Sequence, residues 1–218
     1  MRISEIFESI QGEGDTIGRI ALFIRTQGCP LDCIWCDTKY SIPFDKGYEK
    51  DTSEIVETIK TFVEKKNGII IFTGGEPLYY QEEISKILSS LPYTHVEFET
   101  SGIYLPIEDL AKYKFNVSPK LSSSNLSGGS KIYQKIYSNL KIFSKLNSIF
   151  KFVISHKEEL KEVEWILENY ELPKNRVFLM PQGISIDEIL SRSEFILPFC
   201  IDKGLNYSSR LQVLLKIK

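Results

Sequence analysis

The chain lacks the features of a membrane protein and those of a secreted, disulfide-bonded scaffold. No stretch of its 218 residues approaches the roughly 18 apolar residues of a membrane span. The N-terminus also lacks the charged-then-apolar layout of a signal peptide. We therefore expect a cytoplasmic protein without a membrane partner, in a compartment where thiols stay reduced.

An excess of either charge sign is also missing. There are 27 Lys and Arg against 29 Asp and Glu, which gives a formal net charge of −2. Because proteins that bind nucleic acid through its phosphates usually carry a basic surplus, nucleic acid is not expected as a partner. The remaining composition, 42% hydrophobic and 26% charged, is that of a globular protein. The length favours a single domain over residues 1–218.

Strand-like apolar runs alternate with helical patterns along the chain. The runs lie at Arg19–Thr26, Ile69–Phe72, Val96–Glu99, Phe115–Val117, Ile149–Ile154 and Val177–Met180. Helices are predicted at Asp51–Lys65, Gln81–Ser89, Lys131–Lys145, Lys157–Asn169 and Ile186–Phe199, and a last strand within Asn206–Lys218. Such alternation is typical of a parallel sheet, and six strands are too few for a closed eight-stranded barrel. We therefore expect an α/β fold, a partial (β/α)6-type barrel of mostly parallel strands.

Polar or glycine-containing peptides follow nearly every predicted strand. They are TQGC (Thr26–Cys29), TGGEP (Thr73–Pro77), ETSG (Glu99–Gly102), SPK (Ser118–Lys120), ISH (Ile154–His156) and PQG (Pro181–Gly183). The carboxyl ends of parallel strands meet at one edge of the sheet, which is where ligands bind. The sequence therefore predicts one shared site. The paired glycines of TGGEP would let backbone approach a ligand closely there.

Three of the four cysteines lie within eight residues, in GCPLDCIWCDT. Their spacing, Cys29-x3-Cys33-x2-Cys36, could place three thiolates around one metal centre. Three ligands would leave a coordination position open, as an iron–sulfur cluster that binds a substrate or cofactor requires. A zinc site and incidental cysteines are the alternatives at this point, and Cys200 is remote in sequence.

Two motifs resemble the radical S-adenosylmethionine (SAM) superfamily. CPLDCIWCDT resembles the loop that holds its [4Fe-4S] cluster, and TGGEP resembles its motif for the amino end of SAM. FESIQGEG (Phe7–Gly14) and FIRTQGCPLDCIWCDT (Phe23–Thr38) are further similar to the 7-carboxy-7-deazaguanine synthase family. That resemblance implies a lyase that converts 6-carboxy-5,6,7,8-tetrahydropterin to 7-carboxy-7-deazaguanine, with loss of ammonia, for queuosine and other 7-deazapurines.

The same resemblance implies the cofactors, the partners and a division of the chain. The cofactors are a [4Fe-4S] cluster, SAM and Mg²⁺, and no acid–base residue is expected, because hydrogen is removed by a radical generated on SAM. A flavodoxin- or ferredoxin-type electron donor and a homodimer are expected as partners. Residues 1–18 would be a substrate-binding segment, residues 19–183 the β/α core, and residues 184–218 a C-terminal helix and closing strand.

The resemblance also implies site residues. Cys29, Cys33 and Cys36 would ligate the cluster, and Thr38 would bind Mg²⁺. The residues expected at the substrate are Ile10, Gln11, Gly12, Glu13, Gly14, Arg25 and Thr73. Those expected at SAM are Trp35, Cys36, Asp37, Gly74, Gly75, Glu76, Ser101, Ser118, Pro119, Lys120 and Gln182.

Several of these residues could instead have purely structural roles. Arg25, on the first predicted strand, would either bind the substrate carboxylate or form an internal salt bridge to a glutamate. Trp35 could simply pack in the core, and Lys120 could be solvated. Gln212 stands where relatives often have histidine, which leaves the C-terminal contacts open.

Two rival functions also fit parts of the pattern. An activase that installs a glycyl radical on another protein would share the cysteine loop and TGGEP, but it should lack the QGEG segment and Arg25. A zinc-stabilised binding module without turnover would share only the clustered cysteines.

Overall fold

The structure, a computed structural model, describes residues 1–92 and 94–217. Its strands are β1 (Arg2–Ile10), β2 (Ile20–Thr26), β3 (Tyr48–Glu49), β4 (Ile69–Gly74), β5 (Val96–Thr100), β6 (Lys114–Val117), β7 (Ser148–Ile154), β8 (Val177–Pro181) and β9 (Asn206–Tyr207). Its α-helices are α1 (Thr52–Lys65), α2 (Gln81–Ser89), α3 (Gly129–Phe143), α4 (Glu159–Tyr170), α5 (Ile186–Lys203) and α6 (Leu211–Leu215).

All nine of these strands belong to one sheet, in the order β3-β1-β2-β4-β5-β6-β7-β8-β9. From β2 to β9 every neighbouring pair is parallel, whereas β1 pairs antiparallel with both β2 and β3. The sheet is open, since its two edge strands, β3 and β9, do not pair within the part of the chain that the structure describes. The expected partial barrel is confirmed, and all six predicted strands are present.

Side chains alternate between the two faces of the parallel strands. Leu22, Phe72, Phe98, Phe115 and Phe152 belong to the large apolar core, together with buried residues of the helices. Phe23, Ile69 and Ile71, which point the other way, form a small separate apolar cluster. The same face also carries polar side chains at its carboxyl end, so it is the face that can bind a polar ligand.

Three expectations about local structure need correction. The C-terminal strand covers only Asn206–Tyr207, and the following residues Leu211–Leu215 form a helix. Helix α5 continues through Pro198 to Lys203 instead of ending at Phe199. Helix α1 begins at Thr52, and Asp51, the first residue of the predicted helix, is its N-cap without a capping hydrogen bond from its side chain.

The N-terminal segment holds a strand that the sequence pattern did not indicate. Strand β1 runs along β2 and places the QGEG residues directly after its end. A 3-10 turn at Gly14–Thr16 then leads into β2. In the described residues no helix is both long and apolar enough to cross a bilayer.

Candidate functional site

One cavity opens at the carboxyl ends of the parallel strands, where the sequence predicted a shared site. All but three of the predicted site residues line it. The three exceptions are Gly14, Glu76 and Pro119. The cavity therefore brings together the QGEG segment, the cysteine loop, TGGEP and the SPK peptide, although these come from distant parts of the sequence.

The three clustered cysteines share the cavity, and the fourth does not. Cys29 and Cys36 are partly exposed, Cys33 is buried, and none forms a disulfide. Burial raises the pKa of the Cys29 thiol to about 12, with the Glu76 carboxylate adding to the shift, and burial also raises the pKa of Cys33. Each of these two thiols is therefore protonated until a metal displaces its proton. Cys200 lies on α5, where its Sγ donates to the Asn206 carbonyl oxygen at 3.5 Å.

The three cysteines of this loop could supply the thiolate ligands of an iron–sulfur cube, because all three line the same cavity. Among residues 1–92 and 94–217, no three His, Cys, Asp or Glu side chains converge on a point that would hold a single metal ion. A cube does not need that convergence, because its cysteine ligands bind different iron atoms. The three thiols face one cavity, whose remaining lining can receive a molecule bound to the open iron.

The glycines of TGGEP let two strand ends touch. A Cβ on Gly75 would lie 2.1 Å from the carbonyl oxygen of Gly28, which precedes the first cysteine, and Gly74 adopts φ +120°. Side chains at these positions would push the cysteine loop away from β4. These two glycines therefore let two backbone segments approach each other closely, and they also form part of the cavity wall.

Glu76, which the resemblance places at SAM, joins two of the peptides beside the cavity. It is fully buried, and its carboxylate accepts from the Thr100 hydroxyl at 2.7 Å, the Ser101 amide at 2.9 Å and the Leu78 amide at 3.2 Å. These bonds tie TGGEP to the ETSG peptide that follows β5. Glu76 therefore supports the cavity wall from behind and does not line it.

Trp35 and Lys120 form a pair beside the cysteines. The ammonium group of Lys120 lies 5.4 Å from the centre of the Trp35 ring, and Lys120 Nζ donates to Ser118 Oγ at 3.2 Å. The indole N–H of Trp35 is buried and has no hydrogen-bond partner among the described residues. Both side chains line the cavity, and Lys120 is partly exposed there.

A chain of hydrogen bonds connects the QGEG segment to β4 and β5. Gln11 Nε2 donates to Glu99 Oε1 at 3.0 Å, and Thr73 Oγ1 donates to Glu99 Oε2 at 2.7 Å. Glu99 belongs to the ETSG peptide expected at the shared site, but no role was predicted for this residue itself. Each of its oxygens keeps a lone pair that can accept from a ligand, because a carboxylate has about four acceptor positions.

Arg25 forms the salt bridge that the sequence left open as an alternative. Its Nε donates to Glu5 Oε1 at 2.8 Å, and its guanidinium carbon lies 5.7 Å from the centre of the Phe7 ring. Arg25 also lines the cavity. A guanidinium held through Nε can still present its terminal N–H groups as a fork to a carboxylate.

Glu13 is the centre of a buried ionic cluster that sequence reasoning missed. Its carboxylate pairs with Lys151 on β7, accepts from Arg210 Nε at 3.2 Å, and accepts from Gln212 Nε2 at 2.7 Å. Burial by itself raises the pKa of Glu13, but the charges of Lys151 and Arg210 outweigh burial and lower that pKa to about 2. Glu13 thus acts as an ionised anchor for the C-terminal segment.

Arg210 extends this cluster to the cysteine loop. It also pairs with Asp37, which follows Cys36, and donates to the Gly183 carbonyl oxygen. Gln212 lines the cavity as well, beside Gly12, so the C-terminal segment covers the QGEG residues. A lysine within the otherwise apolar strand SIFKFVI was a sequence signal for the cluster, because a charge is rarely buried without a partner.

Comparison with known proteins defines the class first. The model of the Radical SAM superfamily matches residues 23–141, which include the cysteine loop and TGGEP. The crystal structure of QueE from Escherichia coli superposes with a TM-score of 0.70 over 96% of this chain and 93% of that one, at 23% sequence identity. Streptococcus suis SuiB bound to S-adenosylmethionine superposes with a TM-score of 0.58 over 84% of this chain and 48% of that one, at 15% identity.

Full-length relatives narrow the class to a family. The 7-carboxy-7-deazaguanine synthase of Pyrobaculum aerophilum is 38% identical over 98% of this chain and 94% of the relative. That of Clostridium acetobutylicum is 33% identical over 94% of this chain and 90% of the relative. The chain belongs to the 7-carboxy-7-deazaguanine synthase family of radical SAM lyases. Membership implies a [4Fe-4S] cluster and SAM as cofactors, and the cavity described above fits both.

Proposed function

We propose that the chain converts 6-carboxy-5,6,7,8-tetrahydropterin to 7-carboxy-7-deazaguanine and releases ammonia, in the biosynthesis of queuosine and other 7-deazapurines. The observation that carries this proposal is the meeting of the QGEG segment and Arg25 with the three-cysteine loop in one cavity. The alternative of an activase predicts neither the QGEG segment nor Arg25, and a zinc module predicts no cavity next to the cysteines.

The cavity divides between the two ligands. Cys29, Cys33 and Cys36 would hold the cluster, and the TGGEP and SPK peptides would hold SAM beside it. When bound, the cluster and SAM together supply hydrogen-atom abstraction from carbon. Gln11, Arg25 and Thr73 would orient the pterin against them, and the C-terminal segment over Gly12 would keep water away from the reacting atoms.

A turnover assay tests the proposal directly. Protein purified without oxygen and reconstituted with iron and sulfide is given SAM, a chemical reductant and 6-carboxytetrahydropterin, and 7-carboxy-7-deazaguanine and ammonia are measured. Equal amounts of both products support the proposed reaction. Brown protein that cleaves SAM but leaves the pterin unchanged would contradict it, and so would colourless protein that carries stoichiometric zinc.

We expect Arg25→Ala to weaken substrate binding by about tenfold to a hundredfold, which is the effect of losing a charge-assisted hydrogen bond. Arg25 is held at the cavity by Glu5, in reach of a substrate carboxylate. The measurements are the dissociation constant of the pterin and the substrate-free rate of SAM cleavage, which should not change. Glu5→Gln is the matched control, since it removes the charge of the salt-bridge partner, keeps an oxygen that can accept from Arg25 Nε, and leaves the guanidinium in place. Unchanged pterin affinity in Arg25→Ala would leave Arg25 with the structural role alone.

We expect Mg²⁺ to raise the rate of turnover through Thr38. Thr38 lines the cavity, and its hydroxyl lies 3.6 Å from Cys36 Sγ. A single hydroxyl is a weak ligand, so substrate oxygens and water would complete the octahedron of Mg²⁺. Removing Mg²⁺ with a chelator should slow the enzyme by about tenfold, and Thr38→Ala should be insensitive to Mg²⁺. Thr58→Ala, at a partly exposed position on α1, is the control. Equal rates with and without chelator would remove the proposed Mg²⁺ site.

Two partners belong to the same proposal. A flavodoxin- or ferredoxin-type protein would reduce the cluster, as the radical chemistry requires an electron. A second copy of the chain would form a homodimer. Support for an interface comes from α5, where Ile186, Leu190, Leu197 and Ile201 are exposed at helical spacing.

A further inference from the structure

A buried polar cluster lies below the substrate side of the cavity, and the proposed chemistry does not use it. Its centre is Glu97 on β5, which is 0% exposed. The Glu97 carboxylate accepts from Asn116 Nδ2 at 2.8 Å and from Thr16 Oγ1 at 3.0 Å. His95 Nε2 lies 2.9 Å from the same carboxylate, and Lys114 Nζ lies 3.5 Å from it. A carboxylate with this many partners is fixed in position.

Asn116 is the member of this cluster that reaches the cavity. It is 3% exposed and lines the cavity from β6. Its Oδ1 is buried and has no hydrogen-bond partner among the described residues. A buried polar atom without a partner costs free energy, so a group that bonds to it on binding gains more than an ordinary hydrogen bond.

Glu97 fixes the orientation of the Asn116 amide, and so determines which of its two ends can bind a ligand. A carboxylate only accepts hydrogen bonds, and an amide has a donating and an accepting end. Reversing the amide would bring Asn116 Oδ1 against a Glu97 oxygen, two acceptors in contact, and would lose the 2.8 Å bond. The accepting end is therefore the one left for the ligand.

We propose that Glu97 is a positioning residue, which holds the Asn116 amide so that its carbonyl oxygen can accept from an N–H group of the substrate. The pair thereby selects a substrate ring that carries N–H donors at the edge facing Asn116. The proposal rests on the proposed function, because a tetrahydropterin offers such N–H groups on both of its rings. Asn116 contacts the substrate, and Glu97 acts only through Asn116.

Binding measurements test the pair apart from turnover. Cluster-loaded protein without SAM is titrated anaerobically with 6-carboxytetrahydropterin, and variants are compared at equal iron content. Asn116→Leu keeps the number and branching of the side-chain heavy atoms and removes the acceptor, and it should weaken binding by about tenfold or more. Asn116→Asp places two carboxylates together and should also weaken binding. The double variant Glu97→Gln with Asn116→Asp restores a donor–acceptor pair and an oxygen for the ligand, so it should bind within about threefold of wild type.

Thr16→Val is the matched control, because Thr16 bonds to the same carboxylate but lies outside the cavity lining. It should change pterin affinity by less than about threefold, which is under 1 kcal/mol. The proposal is overturned if Asn116→Leu binds the pterin as tightly as wild type, if the double variant binds no better than Asn116→Asp, or if Thr16→Val weakens binding as much as Asn116→Leu. Failure of the wild type to bind the pterin at all would instead refute the proposed function.

Discussion

Cys33→Ala should abolish cluster assembly and with it all cleavage of SAM. Cys33 is the middle cysteine of the loop and the most buried of the three. Its thiolate would be one of only three protein ligands, and two thiolates do not hold a cube whose fourth iron must stay open. After anaerobic reconstitution, iron and sulfide per chain should fall close to background, and the brown colour should be lost.

Cys200→Ala is the matched control for that experiment. Cys200 is also a buried cysteine, but it lies on α5, outside the cavity lining, and its Sγ donates to the Asn206 carbonyl oxygen. Its removal should leave the iron content and the visible spectrum unchanged. A Cys33→Ala protein that retains the full iron content would show that Cys33 is not needed to hold the cluster.

Lys151→Met should destabilise the fold more than any surface substitution. Lys151 is almost fully buried on β7 and pairs with Glu13. Removing one partner of a buried ion pair leaves a poorly compensated charge, which costs about 3 kcal/mol or more. For a chain of this size that loss corresponds to a fall of about 6–12 °C in the thermal midpoint. Circular dichroism of the anaerobic protein measures the shift.

A double variant separates the lost charge pair from lost packing. Glu13→Gln combined with Lys151→Met removes both charges, so it should be more stable than Lys151→Met by itself. Lys161→Met, at an exposed position on α4, should leave the midpoint within about 1 °C. If Lys151→Met melts at the wild-type temperature, the Glu13 cluster does not contribute to stability.

The parallel core could be predicted because its strands are local signals. Strand β4 begins with four consecutive apolar residues, and β7 is apolar apart from Ser148 and Lys151, which is typical of strands covered on both faces. Strand β1 was missed because Glu5 and Glu8 interrupt its apolar pattern, and both faces of this strand are only partly covered. The C-terminal residues resemble a strand in composition, yet they form a helix whose Leu211 amide bonds to the Gly12 carbonyl oxygen at 2.9 Å.

The site shows the same division between local and distant signals. The cysteine loop and TGGEP were recognised because each motif is contiguous in the sequence. The Glu13 cluster could not be read in this way, because Lys151 is 138 residues from Glu13 and Arg210 is 197 residues from it. The hydrogen bonds of Glu76 could not be predicted for a related reason. Its motif is contiguous, but the partners of its carboxylate, Thr100 and Ser101, follow a different strand.

Arg210 also sets a condition for anyone who redesigns this enzyme. One guanidinium joins the loop that follows the first strand, through Glu13, to the loop that follows the last cysteine of the motif, through Asp37. In a chimera whose Glu13 loop comes from a relative, Arg210 in the C-terminal segment would meet a different carboxylate, or none at all. Loop and tail therefore need to be exchanged together, as a single module built from the two ends of the polypeptide.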